Sequence, residues 1–261
     1  MNKTSWAIVT GASSGIGKEF AHIFAEHQVN LVIAARNENA LVSLADVLVA
    51  KHKIKVLVFP GDLSQQSIVM ELVEFVTSHK VRPDYLINNA GFGDFGYFTQ
   101  SSWAKEEKMI DLNMKTLTYL TKIYATQMKE RESGRIVNVA SGAAFQPGPL
   151  MAIYFATKAY VHHFSEAIAE ELNGSGVTVT TLCPGPTESN FWRVAGKENS
   201  SSFLHGRMPS SQVVAQYGYE AMMRGDRVAI QGLRNRLGAF MLRFVPRSVV
   251  TKIIKYGQEK V

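Results

Sequence analysis

Short apolar runs and stretches of helical period alternate along most of this chain. The runs at residues 5–10, 30–35, 54–59, 85–88, 134–140, 177–182 and 228–230 have strand length and little polar alternation, which predicts strands buried on both faces. Between them, residues 18–27 place Phe20, Ile23 and Phe24 at helical spacing, and residues 102–129, 154–172 and 211–223 also read as helices. Glu38 suits the opening turn of a further helix, and Ser64 is expected to cap the one that runs to about His79. Regular alternation of this kind predicts a doubly wound α/β fold, a parallel sheet with helices on both faces. No internal repeat, low-complexity stretch or linker interrupts it, so residues 1–261 are expected to form a single domain.

Two segments depart from the pattern. Residues 188–211 are rich in Ser, Asn and Gly and carry Phe191, Trp192, Phe203 and Leu204. They read as a substrate-side loop, or as the packing of a small inserted helix. Residues 233–261 interleave Leu237, Phe240, Phe244, Ile253 and Ile254 with Lys and Arg, and Pro246 divides them into two helical pieces. From residue 224 onward nine Lys/Arg face two acids, a net +7, which leaves −1 for the rest of the chain. The basic character therefore belongs to the tail, and nucleic-acid binding by a general basic surface is not expected. A basic amphipathic tail either packs on the body or on a second subunit, or lies on an anionic membrane.

Cys183 is the only cysteine, which excludes an intrachain disulfide and a cysteine-rich zinc site; no metal is expected. Neither a secretory h-region nor an apolar run of about 20 residues is seen. A cytoplasmic protein fits, with peripheral membrane contact through the tail as an open alternative.

The candidate chemistry centres on Tyr154 and Lys158. Four apart on a helix, the two side chains lie one above the other. An ammonium beside a phenol favours the phenolate and is expected to draw the Tyr below its ordinary pKa of about 10, giving a general acid/base. Ser141 lies thirteen residues before Tyr154, at the carboxyl end of the fifth strand, where open parallel sheets bind ligands. Near the start, Gly11, Gly15 and Gly17 form a turn between a strand and a helix, the setting in which backbone N–H groups meet a pyrophosphate. Arg36 closes the second strand, where a cation favours the 2′-phosphate of NADP(H) over the free ribose of NAD(H). Asp62 reads as a turn residue, and Asn113 as an ordinary helical Asn.

Taken together, Thr10-Gly11-x-x-x-Gly15-x-Gly17, Asn88-Asn89-Ala90-Gly91, Ser141, Tyr154-x-x-x-Lys158 and Pro184-Gly185 resemble the short-chain dehydrogenases/reductases, in family order across residues 5–189. The resemblance implies a single-domain Rossmann-type fold and a catalytic set of Asn113, Ser141, Tyr154 and Lys158. Tyr154 would be the acid/base, Lys158 would lower its pKa and bond the nicotinamide ribose, and Ser141 would hold the substrate oxygen. Asn113 would help to hold a water that links Lys158 to solvent. The turn from Gly11 to Gly17, with Ser13, Ser14 and Ile16 between its glycines, would hold the pyrophosphate. Asp62 and Leu63 would lie by the adenine, Asn89, Ala90 and Gly91 on the adenosine side, Pro184 and Gly185 would also bind the cofactor, and Thr187 would contact the carboxamide. Ser14 stands where some NADP-using members carry a basic residue, so phosphate recognition would rest on Arg36 with Asn37.

These readings predict an NADP(H)-dependent reductase or dehydrogenase acting on a small apolar carbonyl or secondary alcohol. Phe92, Phe145, Met151, Phe191 and Trp192, in segments bordering the site, motivate the word apolar. The alternative is a non-catalytic NADP(H)-binding sensor or scaffold on the same fold. The resemblance also implies a homodimer or homotetramer, formed through the helices at residues 102–129 and 154–172.

Overall fold

The structure is a computed structural model that describes residues 5–189, 191, 195–196 and 208–259. Seven strands form one sheet: β1 (Trp6–Thr10), β2 (Asn30–Ala35), β3 (Val56–Pro60), β4 (Tyr85–Asn88), β5 (Gly134–Val139), β6 (Val177–Cys183) and β7 (Val228–Ile230). Their order is β3-β2-β1-β4-β5-β6-β7, and every pairing is parallel. The helices are α1 (Gly15–Glu26), α2 (Glu38–His52), α3 (Gln66–Ser78), α4 (Trp103–Ile110), α5 (Leu117–Glu130), α6 (Ala152–Glu171), α7 (Ser211–Arg224), α8 (Leu233–Met241) and α9 (Arg247–Glu259).

Why the strands read as continuous apolar runs follows from their packing. Successive side chains point to opposite faces. Ala7, Val9, Leu31 and Ile33 go to one core with Phe20 and Phe24 of α1 and Val214 of α7. Ile8, Val32 and Ala34 go to the other, with Leu72 of α3, Leu120 and Met128 of α5 and Ala169 of α6. Both faces are dry, so neither shows polar alternation.

The chain runs outward from β1 to β3, then returns to place β4 on the other side of β1. The carboxyl ends of β1 and β4 therefore flank a switch point, where a crevice opens. Thr10 latches the two ends together. Its hydroxyl donates to the Ile87 carbonyl (3.2 Å) and accepts from the N–H groups of Asn89 and Ala90 (3.0 Å each). A second, wholly buried set of polar groups ties β4 and β5 to α5 and α6. Asn88 donates to Thr121 and to Asn138 (2.9 Å each), and Asn138 donates to Ser165 (2.9 Å). Buried amides left without such partners cost stability, so this chain of bonds fixes where β5 and α6 sit relative to each other.

Several boundaries differ from the sequence expectation. Helix α1 begins at Gly15, inside the glycine turn, because only the turn's first part is needed to reverse the chain. Ser64 does not cap α3: Gln65 holds that position, and the Ser64 hydroxyl donates instead to Asp62 Oδ1 (2.8 Å). The long helix at residues 102–129 is three pieces, α4 and α5 joined by a π-helical turn over Asp111–Thr116. Pro246 separates α8 from α9 as expected. Among the described residues, no helix is long and apolar enough to cross a membrane. Trp192, Phe203 and Leu204, and with them most of the 188–211 loop, lie outside the described residues.

Candidate active site

One cavity of about 900 Å³ lies along the carboxyl ends of the strands, and Arg36 and Tyr154 both line it. The catalytic and cofactor-binding residues expected from the sequence line this cavity with two exceptions, Gly17 and Asn113.

Tyr154 stands in the first turn of α6 and Lys158 one turn on, both buried. The Lys158 ammonium lies 5.8 Å from the centre of the Tyr154 ring and donates to the Val139 carbonyl at 2.8 Å. Ser141 follows β5 with extended backbone, and its Oγ accepts from the Ala143 N–H (3.1 Å), capping a one-turn 3-10 helix. Its side chain also hydrogen-bonds Tyr154. Two hydroxyls and an ammonium thus share the cavity wall opposite the glycine turn.

The electrostatics depart from the simple sequence argument. Burial pushes the Tyr154 phenol up to about 12, and the Ser141 hydrogen bond only partly opposes this. Burial also draws the Lys158 ammonium down to about 8. Desolvation penalises the charged form of each group and is the largest cause of both shifts. At neutral pH the phenol therefore keeps its proton, and Lys158 is poised to lose one. This has a consequence for stability. The unfolded Lys holds its proton to its ordinary 10.5, the folded one only to about 8. Between those values the unfolded state binds more protons, so the fold gains stability as pH rises. Urea denaturation between pH 8 and 9, below the range in which the buried Cys183 thiol, pushed up to about 12, contributes the opposite slope, should show that rise, and Lys158→Met should flatten it; an unchanged slope in the variant would refute the assignment.

Asn113 sits in the π-helical turn, a local widening that often marks functional positions. Its Oδ1 accepts from the Phe92 N–H (3.2 Å), while Nδ2 donates to the Phe92 carbonyl (3.0 Å) and to Thr157 Oγ1 (3.1 Å). Thr157 in turn donates to the Tyr154 carbonyl (2.8 Å). The amide is a clasp that holds the loop after β4 against the first turn of α6. Gly91 allows this approach, since a Cβ there would lie 2.9 Å from Asn113 Oδ1 and 3.4 Å from Lys158 Nζ.

At the other end, Gly11 (φ +67°) and Gly15 (φ +57°) both take left-handed backbone that favours glycine. Ser14 precedes α1 with extended backbone, and its side chain makes no cap bond, so the first N–H groups of the helix face the cavity without it. Gly17 does not line the cavity. It packs behind the turn, where a Cβ would lie 2.4 Å from both Asn89 Nδ2 and the Gly11 carbonyl oxygen. Arg36 is exposed immediately after β2. Asn37 is committed elsewhere: its Oδ1 caps α2 by accepting from Ala40 (3.0 Å). Burial alone would raise the Asp62 pKa, but hydrogen bonds from Ser64 and the charge of Arg36 hold the carboxyl below its ordinary range.

This end of the cavity fits a dinucleotide on the chemistry of its donors: free helix N–H groups for a pyrophosphate, a cation where a ribose phosphate would lie, and a carboxylate kept ionised beside it. Towards Tyr154 the walls are apolar, with Phe92, Phe145, Met151 and Phe191. The tail contributes what the sequence did not suggest. Asn235 and Ala239 of α8, Leu242 just after it, and Ile254 and Gln258 of α9 also line the cavity. Alternation of apolar and basic residues marked these helices as amphipathic but could not say what lies against their inner faces.

Comparison with known proteins agrees with this geometry. The short chain dehydrogenase family model matches residues 5–200. A short-chain dehydrogenase from Sphingobium yanoikuyae, solved with NADPH, superposes with a TM-score of 0.82 at 32% identity, over 90% of this chain and 92% of that one. A very-long-chain 3-oxoacyl-CoA reductase-like protein of Arabidopsis thaliana is 32% identical over 94% of this chain and 78% of its own. The human inactive hydroxysteroid dehydrogenase-like protein 1 is 31% identical over 83% of this chain; the match spans 65% of that relative's length. The fold, the paired ends of β1 and β4 and the family match agree: this chain belongs to the short-chain dehydrogenases, a family of oxidoreductases.

Proposed function

We propose that this protein is an NADP(H)-dependent oxidoreductase that interconverts an apolar ketone or aldehyde and its alcohol, with Tyr154 as the acid/base. The observation that carries the reading is the placing of the Ser141 and Tyr154 hydroxyls and the Lys158 ammonium on one wall of a cavity whose other end is built for a dinucleotide. Bound NADP(H) supplies or accepts the hydride.

The rest of the chemistry falls to the protein. The N–H groups at the start of α1 receive the pyrophosphate, Arg36 the 2′-phosphate, and Asp62 with Leu63 flank the adenine. Ser141 and Tyr154 donate hydrogen bonds to the carbonyl oxygen as negative charge develops on it. Tyr154 then passes its proton to that oxygen and becomes a phenolate beside the Lys158 ammonium. A phenol that holds its proton at neutral pH suits the reductive direction. The apolar walls and the 3-oxoacyl-CoA reductase-like relative support a long apolar carbonyl, and the NADPH-bound structural neighbour supports the cofactor.

The name of the human relative keeps a competing reading in view, a cofactor-binding protein without turnover. The intact Ser141, Tyr154 and Lys158 argue against it. Absorbance of NADPH, followed with apolar ketones, aldehydes and ketoacyl thioesters, separates the two. Oxidation of NADPH is expected; tight NADPH binding with no oxidation across the panel would favour the binder. In the same assay Arg36→Leu removes a charge-assisted contact and should lower kcat/KM with NADPH by about 30-fold, leaving NADH nearly unaffected. Equal losses with both cofactors would remove Arg36 from phosphate recognition.

A further inference from the structure

We propose that α8, α9 and the loop before α4 form a surface that docks on an anionic lipid bilayer, so that the cavity opens at the lipid interface. The proposal deepens the function above, because it names the phase from which an apolar substrate arrives.

The inner and outer faces of the two tail helices differ sharply. Inner residues such as Ala239 of α8 and Ile254 of α9 line the cavity. The outer faces expose large apolar side chains: Leu233 (80% exposed), Leu237 and Phe240 on α8, Phe244 after it, and Ile253 and Tyr256 on α9. Not one residue of α8 is buried. The loop before α4, with the first residue of that helix, extends this face, and Tyr97, Phe98 and Trp103 are all at least half exposed. It adjoins α9 directly, since the Tyr97 hydroxyl donates to Glu259 Oε1 at 3.3 Å. Of the seventeen large apolar side chains exposed among the described residues, eleven lie in residues 97–103 and 233–256. Scattered exposed apolar residues need no explanation; a concentration of this kind at the mouth of a cavity does.

The charge around the patch selects its occupant. Arg236, Arg243, Arg247, Lys252 and Lys255, all exposed, share these segments with it, against Glu259 as the one acid in residues 233–259. Among the described residues, ion pairing on these helices is confined to Lys255 with Glu259 (3.5 Å). A second copy meeting this face about a twofold axis would bring like charges together with few acids to answer them. A leaflet with anionic headgroups answers each cation and takes the apolar face into its acyl boundary, while Trp and Tyr suit the headgroup level.

The test is co-sedimentation of the full chain with phosphatidylcholine vesicles, with and without phosphatidylserine. The wild type should bind the anionic vesicles at least ~10-fold better than the neutral ones, and high salt should release it. The triple variant Leu237→Glu, Phe240→Glu, Ile253→Glu, none of which lines the cavity, should stay in the supernatant. Its NADPH oxidation with a water-soluble ketone should be unchanged, and that with a long-chain ketone held in vesicles should fall ~10-fold. Wild type remaining in the supernatant, a variant that binds as well as wild type, or a dimer in light scattering that the triple variant dissolves would each overturn the proposal. Vesicle binding is read without cofactor or substrate. Binding without turnover would therefore defeat the enzymatic reading alone, and turnover of a soluble ketone without binding would defeat this one alone.

Discussion

Replacing Tyr154 with Phe should lower NADPH-driven ketone reduction by about 10³-fold while NADPH affinity and thermal stability stay near those of the wild type. The ring itself is structural. It packs at 5.1 Å from Phe191 and 6.1 Å from Phe155, between centroids, and Phe preserves both contacts. Its hydroxyl is the group that is lost, and it is the proton donor that the proposed reaction assigns to the alkoxide. Burial has already raised the phenol to about 12, so the fold does not depend on a phenolate at neutral pH. Ser141 retains its bond with the Ala143 N–H, so the neighbouring hydroxyl is not orphaned by the change. What disappears is a proton donor and one of two hydrogen bonds to the developing oxyanion. Stopped-flow absorbance for the hydride step, with fluorescence titration for NADPH, separates chemistry from binding. Turnover within about tenfold of wild type would mean that solvent or another group supplies the proton.

Some of this site can be read directly from residue order. Strands at 30–35, 85–88 and 228–230 coincide with the observed β2, β4 and β7, because a strand buried on both faces is an apolar run with abrupt ends. Tyr154 and Lys158 face the same cavity because four residues make nearly one helical turn. Other features are set by contacts between distant segments and leave no local trace. The π-helical turn at Asn113 goes with bonds to Phe92 and Thr157, which lie 21 and 44 residues away. Asp62 claims Ser64 for its own turn, a competition between two short-range options that spacing cannot decide. The Tyr154 phenol rises where a neighbouring Lys suggested a fall, since burial is a property of the folded molecule and not of a pair of letters. Asn138 carried a weak signal, a polar residue inside an apolar run, and proves to link Asn88 with Ser165 across the sheet.

Gly17→Ala should cost about 2 kcal/mol of stability and weaken NADPH binding by more than about 10-fold, although the same change in an open helix is stabilising. Helix propensity alone favours Ala over Gly by about 1 kcal/mol. At this position sterics win. The new Cβ would lie 2.4 Å from the Gly11 carbonyl oxygen and 2.4 Å from Asn89 Nδ2. Neither can retreat cheaply. Gly11 donates its N–H to Ala34 at 2.8 Å, and Asn89 Nδ2 already bonds the Thr10 and Gly11 carbonyls at 3.0 and 3.2 Å. Relief requires the turn to move away from β4, which displaces the N–H groups at the start of α1 and the latch made by Thr10. Stability and cofactor affinity are thus coupled here through a residue that does not line the cavity. Gly238→Ala in α8 supplies the contrasting case, since an added Cβ there meets no atom within 4 Å. That variant should melt slightly higher than wild type and Gly17→Ala clearly lower, measured by urea denaturation with and without NADPH. If Gly17→Ala kept wild-type NADPH affinity, the packing of the turn against Asn89 would not be what holds the pyrophosphate site in shape.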